Sequence, residues 1–107
     1  MEIISFKNPQ LSRMANGQYC IELTEEGNWE SFENFANHFI PQIGALLIEK
    51  IDGPDIRIFK IQYKNTFLNL VYDDYPNGVS IEPINNNPEI INELFSLVKS
   101  QSSPNGS

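Results

Sequence analysis

Between Ala45 and Ile84 four strand-length apolar runs are separated by tight reversal signals, and this pattern dictates most of what the chain can fold into. Ala45–Ile51 (ALLIEKI) leads through the turn cluster Asp52-Gly53-Pro54-Asp55 into Ile56–Tyr63 (IRIFKIQY). Lys64-Asn65 reverses the chain into Thr66–Tyr72 (TFLNLVY), and Asp73–Gly78 (DDYPNG) reverses it again into Val79–Ile84 (VSIEPI). Asn77-Gly78 suits the positive φ of a hairpin turn. Strands joined by loops this short pair antiparallel, so the segment is a meander. Pro83 lacks an amide donor, which puts the last strand at an edge or ends it there.

Upstream, Glu2–Phe6 (EIISF) reads as a strand ended by Asn8-Pro9. A loop through Asn16-Gly17 leads to Gln18–Leu23 (QYCIEL). Here Tyr19, Ile21 and Leu23 alternate with polar positions at the period of a half-buried strand. The two runs can pair as a hairpin, although a loop this long does not fix their register.

The clearest helix lies between them and the meander. Trp29, Phe32, Ala36, Phe39 and Ile43 recur at three- and four-residue spacing, with Phe35 and Ile40 flanking the same arc. Asn28 is its expected N-cap, and Glu30 complements the positive end of the dipole. Glu30 and Glu33 fall on the arc expected to face water. Pro41 cannot donate the helical hydrogen bond, so a kink or tightening is expected near Asn37–His38, and Gly44 is a natural stop. A second helix opens at Asn87-Pro88-Glu89, where cap, first helical position and dipole partner are all suitable. Ile91, Leu94, Phe95 and Val98 form its apolar stripe.

The element order is therefore β-β-α-β-β-β-β-α. An α+β two-layer sandwich, a mostly antiparallel sheet with two helices on one face, buries both apolar stripes. Strands flanking the first helix would run parallel if they were sheet neighbours. One domain spans residues 1–100, and 101–107 (QSSPNGS) is expected to be a mobile tail.

Composition narrows the function. The chain has 107 residues, with 40% hydrophobic and 20% charged, as in a globular domain. No apolar run approaches the roughly 20 residues of a membrane-spanning helix, and the first residues lack the pattern of a Sec-type signal peptide. The single cysteine, Cys20, permits no internal disulfide and fits a reducing cytoplasm. Fourteen acidic against seven basic residues give a net charge of −7, which repels nucleic acid and anionic membranes and attracts basic proteins. Between Arg13 and Lys50 there is no Lys or Arg, whereas Glu22, Glu25, Glu26, Glu30 and Glu33 all fall there.

Catalytic material is sparse. His38 stands alone on a helix flank without a Ser or Cys motif around it, and Cys20 has no feature that lowers a thiol pKa. Asp73, Asp74 and Glu82 are the best acid cluster. Neighbouring side chains on a strand point to opposite faces, however, so Asp73 and Asp74 share one metal ion only if the turn bends them together. Isolated glycines form no phosphate-binding loop. The expectation is a protein that is not an enzyme and takes neither metal nor cofactor.

From Trp29 to Glu82 the chain resembles a family of small uncharacterised bacterial proteins, a domain of unknown function. The matching features are the helix start W-x-x-F-x-x-F-A, the Gly44-Ala45 step, Glu49-Lys50, Gly53-x-Asp55 and the Tyr72-Asp73-Asp74-Tyr75 turn. That family carries Glu-Asp in the aromatic turn where this chain has Asp73-Asp74, and it implies no catalytic residues. In size, acidity and scarcity of catalytic motifs the chain is also similar to the immunity proteins of contact-dependent inhibition and polymorphic-toxin systems. This second resemblance implies a cytoplasmic inhibitor that binds a basic nuclease toxin domain and blocks its active site. The alternative is a non-catalytic adaptor or regulator binding another protein. The expected partner-binding residues are Glu25, Glu26, Glu30, Glu33, Asp73 and Asp74, with Tyr75 as an aromatic anchor.

Overall fold

The structure is a computed structural model that describes residues 9–24, 29–74 and 77–100. Its elements follow the order β1 (Gln10–Arg13), β2 (Tyr19–Thr24), α1 (Trp29–Gln42), β3 (Leu46–Asp52), β4 (Ile56–Tyr63), β5 (Thr66–Asp74), β6 (Asn77–Pro83) and α2 (Pro88–Ser100). The six strands form one sheet in the spatial order β1-β2-β6-β5-β4-β3, and every neighbouring pair is antiparallel. This is the expected α+β architecture.

Alternation along the strands separates two faces. Ile21 and Leu23 of β2, Val79 and Ile81 of β6, Leu68, Leu70 and Tyr72 of β5, and Phe59, Ile61 and Tyr63 of β4 form one buried layer. Phe32, Ala36, Phe39, Ile40 and Ile43 of α1 and Ile91, Leu94 and Val98 of α2 pack into the same cluster, so both helices cover one face. Phe32 is its aromatic hub, with its ring centroid 4.9 Å from Phe59 and 5.6 Å from Tyr72. The expected burial of Phe32, Phe39, Ile43, Leu94 and Val98 holds; the Trp29 side chain lies outside the described residues.

Helix ends follow local chemistry. At α2 the Ile90 amide donates to Asn87 Oδ1 at 3.2 Å, so Asn87 caps the helix ahead of Pro88. Helix α1 runs through Pro41 in its last turn and stops at Gly44, whose φ of 78° is left-handed. Ala45 N–H donates to Ile40 O and Gly44 N–H to Pro41 O, both at 3.0 Å, a Schellman closure. Asn28, the expected cap of α1, lies outside the described residues, as does the 101–107 tail.

One expectation is revised and two that were left open are settled. The strand read at Glu2–Phe6 lies outside the described residues, and the strand that pairs with β2 is Gln10–Arg13, in the stretch read as loop. Its pairing partners run from Glu22 to Tyr19, and the short 14–18 connection is closed by Met14 N–H to Gln18 O at 2.7 Å, with Gly17 at φ 90°. Secondly, β6 is interior, between β2 and β5; Pro83 is its last residue, so the proline ends the strand without marking an edge. Thirdly, β2 and β3, which flank α1, are not sheet neighbours, because β6, β5 and β4 lie between them.

Candidate functional site

The strand directions bring Asp52, Asp55 and Asp73 to one end of the sheet. β2, β3 and β5 end there, and β4 and β6 begin there. Asp73 of β5 pairs across to Gly78 and to Ile56, and Asp52 of β3 pairs with Arg57 of β4. Asp55 is exposed in the turn between β3 and β4. Thr24, the last residue of β2, pairs with Val79, one position from the Gly78 that faces Asp73.

Of the residues expected to bind a partner, Glu33 and Asp73 are described in full. Glu25, Glu26 and Tyr75 lie outside the described residues, and so do the side chains of Glu30 and Asp74. Glu33 was expected to face water on the polar arc of α1, and its side chain is 43% exposed, but the carboxylate is also ion-paired. It accepts from Lys50 Nζ at 2.8 Å and from Arg57 Nη2 at 3.4 Å. Arg57 also donates through Nε to Asp52 Oδ1 at 2.9 Å. The hydrogen bond and charge of Lys50, with help from Arg57, hold the Glu33 carboxyl below its ordinary range. The Asp52 carboxylate in turn holds the Arg57 guanidinium above its usual value.

Arg57 occupies a position in β4 that alternation assigns to the core, with Phe59, Ile61 and Tyr63. A buried guanidinium requires anionic partners. The signal was present in IRIFKIQY as a charged residue on the apolar set, but the sequence did not reveal which acids would answer it. Phe59 supplies the floor: Arg57 and Lys50 lie 5.4 and 5.3 Å from its ring centroid.

The face of the sheet away from the helices carries a second acidic group. Glu22 of β2 faces Ser80, and Glu82 of β6 faces Asn69. Half-burial pushes the Glu82 carboxyl up, opposed by a hydrogen bond from Ser80 and reinforced by Asp73. Cys20 is buried on this same face, and burial together with Glu82 and Glu22 raises its thiol to about 11. A thiol so placed is held protonated and unreactive. His38 is exposed, with Nδ1 donating to the Asn34 carbonyl at 2.8 Å, one turn back on α1. Among the described residues no three His, Cys, Asp or Glu side chains are grouped to hold a metal ion, and no helix is long and apolar enough to cross a membrane.

The family model described as "Protein of unknown function (DUF3630)" matches residues 10–99, from the start of β1 almost to the end of α2. No curated protein and no solved structure matches the chain.

Proposed function

We propose that this chain, which belongs to the DUF3630 family, works by binding a basic protein and serves as an immunity protein that neutralises a nuclease toxin domain in the cytoplasm. The observation that carries this reading is the placement of Asp55 and Asp73 at one end of the sheet, beside the Glu33 and Asp52 carboxylates that Lys50 and Arg57 already pair, in a protein of net charge −7. Nucleases hold phosphate backbones on cationic surfaces, and a rigid acidic surface competes for them. Opposite charge also accelerates encounter, which favours an inhibitor that must act before its target does damage. Glu25 and Glu26 extend the same acidic region in sequence beyond Thr24, and Asp74 and Tyr75 extend it beyond Asp73.

The deciding experiment is to read the genes adjacent to this one and co-express the protein with any basic nuclease domain encoded there. Growth should be restored, and the purified protein should inhibit the nuclease at stoichiometric ratio. Binding without inhibition would favour the alternative of an adaptor, and neither binding nor rescue would remove the immunity reading.

A further inference from the structure

Strand β3 is an open edge of the sheet, and all seven of its residues, Leu46–Asp52, are exposed. Ile51 is 46% exposed, and Leu46, Leu47 and Ile48 add further apolar surface along the strand. Exposed apolar edges recruit other strands, and proteins blunt them with charges and bulges. Here Ile48 is the extra residue of a bulge, and Glu49, Lys50 and Asp52 are charged. Those charges oppose an arbitrary strand, but they complement one particular partner.

We propose that β3 pairs antiparallel with β3 of a second copy of this chain, about a two-fold axis at Ile51. Two identical antiparallel strands related by an axis perpendicular to the sheet set one residue opposite itself and its neighbours opposite each other. Centring on Glu49 or Lys50 opposes like charges. Centring on Ile51 sets Ile51 against Ile51 of the second copy, and Lys50 against Asp52 on each side.

Backbone polarity agrees with this centre. The Gly53 amide donates inward to Ile56 O at 2.8 Å. Pairs alternate along an antiparallel ladder, so the N–H and C=O of Ile51 turn toward β4, and those of Lys50 and Asp52 turn away from the sheet. With the axis at Ile51, the outward groups of Lys50 meet those of Asp52 in the second copy as a reciprocal hydrogen-bonded pair on each side.

Side chains on both faces continue across the axis. On the open face the row Val71, Ile58 and Ile51, set by the β5–β4–β3 register, becomes an apolar strip spanning both sheets. On the helix face Lys50 already holds Glu33, and Asp52 already holds Arg57. Pairing Lys50 with the second copy's Asp52 joins these bridges into one network across the interface.

Sedimentation velocity on the full chain, from micromolar to near-millimolar concentration, should show a reversible monomer–dimer equilibrium. Ile51→Lys opposes two ammonium groups on the axis at an exposed position, so it should weaken the dimer about tenfold or more and leave the far-UV spectrum unchanged. In a Cys20→Ser background, Ile51→Cys should oxidise rapidly to a disulfide dimer, because directly opposed residues of a non-hydrogen-bonded pair sit at disulfide distance. Asp55→Cys, beyond the strand, should cross-link far more slowly. A chain monomeric at every concentration, a dimer indifferent to Ile51→Lys, or cross-linking equally fast at positions 51 and 55 would each overturn the proposal.

Discussion

Arg57 and Asp52 face each other across the β4–β3 pair, and the guanidinium of Arg57 also reaches Glu33 on α1, so one cation ties the helix to the edge of the sheet. The Arg57 side chain is 9% exposed, whereas those of Asp52 and Glu33 are 48% and 43% exposed. Removing the cation therefore leaves acids that water can reach, and the cost stays below that of a fully buried broken pair. Arg57→Ala should destabilise the fold by about 1–2 kcal/mol, through lost packing of the stem over Phe59 as well as lost charge. Arg57→Lys should fall between, because an ammonium cannot reproduce the guanidinium fork. Urea unfolding of the three proteins measures the series, and identical midpoints would contradict the network.

Glu33 makes the same contact pH-dependent. Its carboxyl titrates lower in the folded chain than its ordinary value of 4.5, chiefly because Lys50 donates to it. A carboxyl depressed by folding contributes stability that is complete above the unfolded value and lost as pH falls through the folded one. Glu33→Gln should accordingly be less stable than wild type at neutral pH, and the difference should close in acid below pH 4.5. Thermal melts from neutral to strongly acidic pH provide the measurement. A gap that persists unchanged into acid would mean that Glu33 contributes packing and no charge.

Phe32 stands at the point where α1 meets the middle of the sheet, against Phe59 and Tyr72, and it is 2% exposed. Phe32→Ala should cost about 3–5 kcal/mol, the range for buried aromatics cut to a methyl group. A melting temperature close to wild type would mean that the register of α1 is wrong.

Fold and site were legible to different degrees. Local signals carried β4, whose bounds Ile56–Tyr63 match the alternation, and α2, where Asn87-Pro88-Glu89 spells out a helix start. β1 escaped because QLSR offers one apolar side chain and no alternation to detect. Its identity depends on Leu11 pairing with Ile21, a tertiary fact. The place of β6 in the sheet depends on β2 returning from the far side of the sequence to pair Ile21 with Ile81. The fate of Glu33 was illegible for the same reason: helical periodicity assigns it to the polar arc, and only the docking of α1 brings Lys50 and Arg57 beneath it.

Cys20 and Glu82 give a chemical test of the open face. With its thiol raised to about 11, Cys20 is about one part in a thousand thiolate at pH 8, and it is also 7% exposed. Ellman's reagent at that pH should modify the native protein far more slowly than the urea-unfolded chain. Folding raises the Glu82 carboxyl through burial, so its charged form loses stability for the fold as pH rises through the raised value. Glu82→Gln should therefore raise the melting temperature at neutral pH. Rapid labelling of the folded protein, or a destabilised Glu82→Gln, would show this face to be wetter than the structure has it.

The final prediction separates charge that holds the fold from charge that meets a partner. Glu33→Lys would set a third cation beside Lys50 and Arg57, so reversing it should lower stability as well as binding, and it is a poor probe of the interface. Glu25 and Glu26 follow β2 in the sequence, in a stretch without Lys or Arg. Reversing both to Lys should slow association with the basic partner proposed above and leave dissociation nearly unchanged, since steering acts on encounter more than on residence. Salt should mimic the reversal, because the Debye length shrinks to about 3 Å at 1 M and long-range attraction is lost. Wild type should thus lose association rate steeply with salt, and the double reversal only shallowly. Stopped-flow traces of both proteins across a salt series read the two slopes directly. Equal slopes would remove Glu25 and Glu26 from the proposed encounter surface and leave Asp73, with Asp74 and Tyr75 after it in the sequence, as the remaining candidates for it.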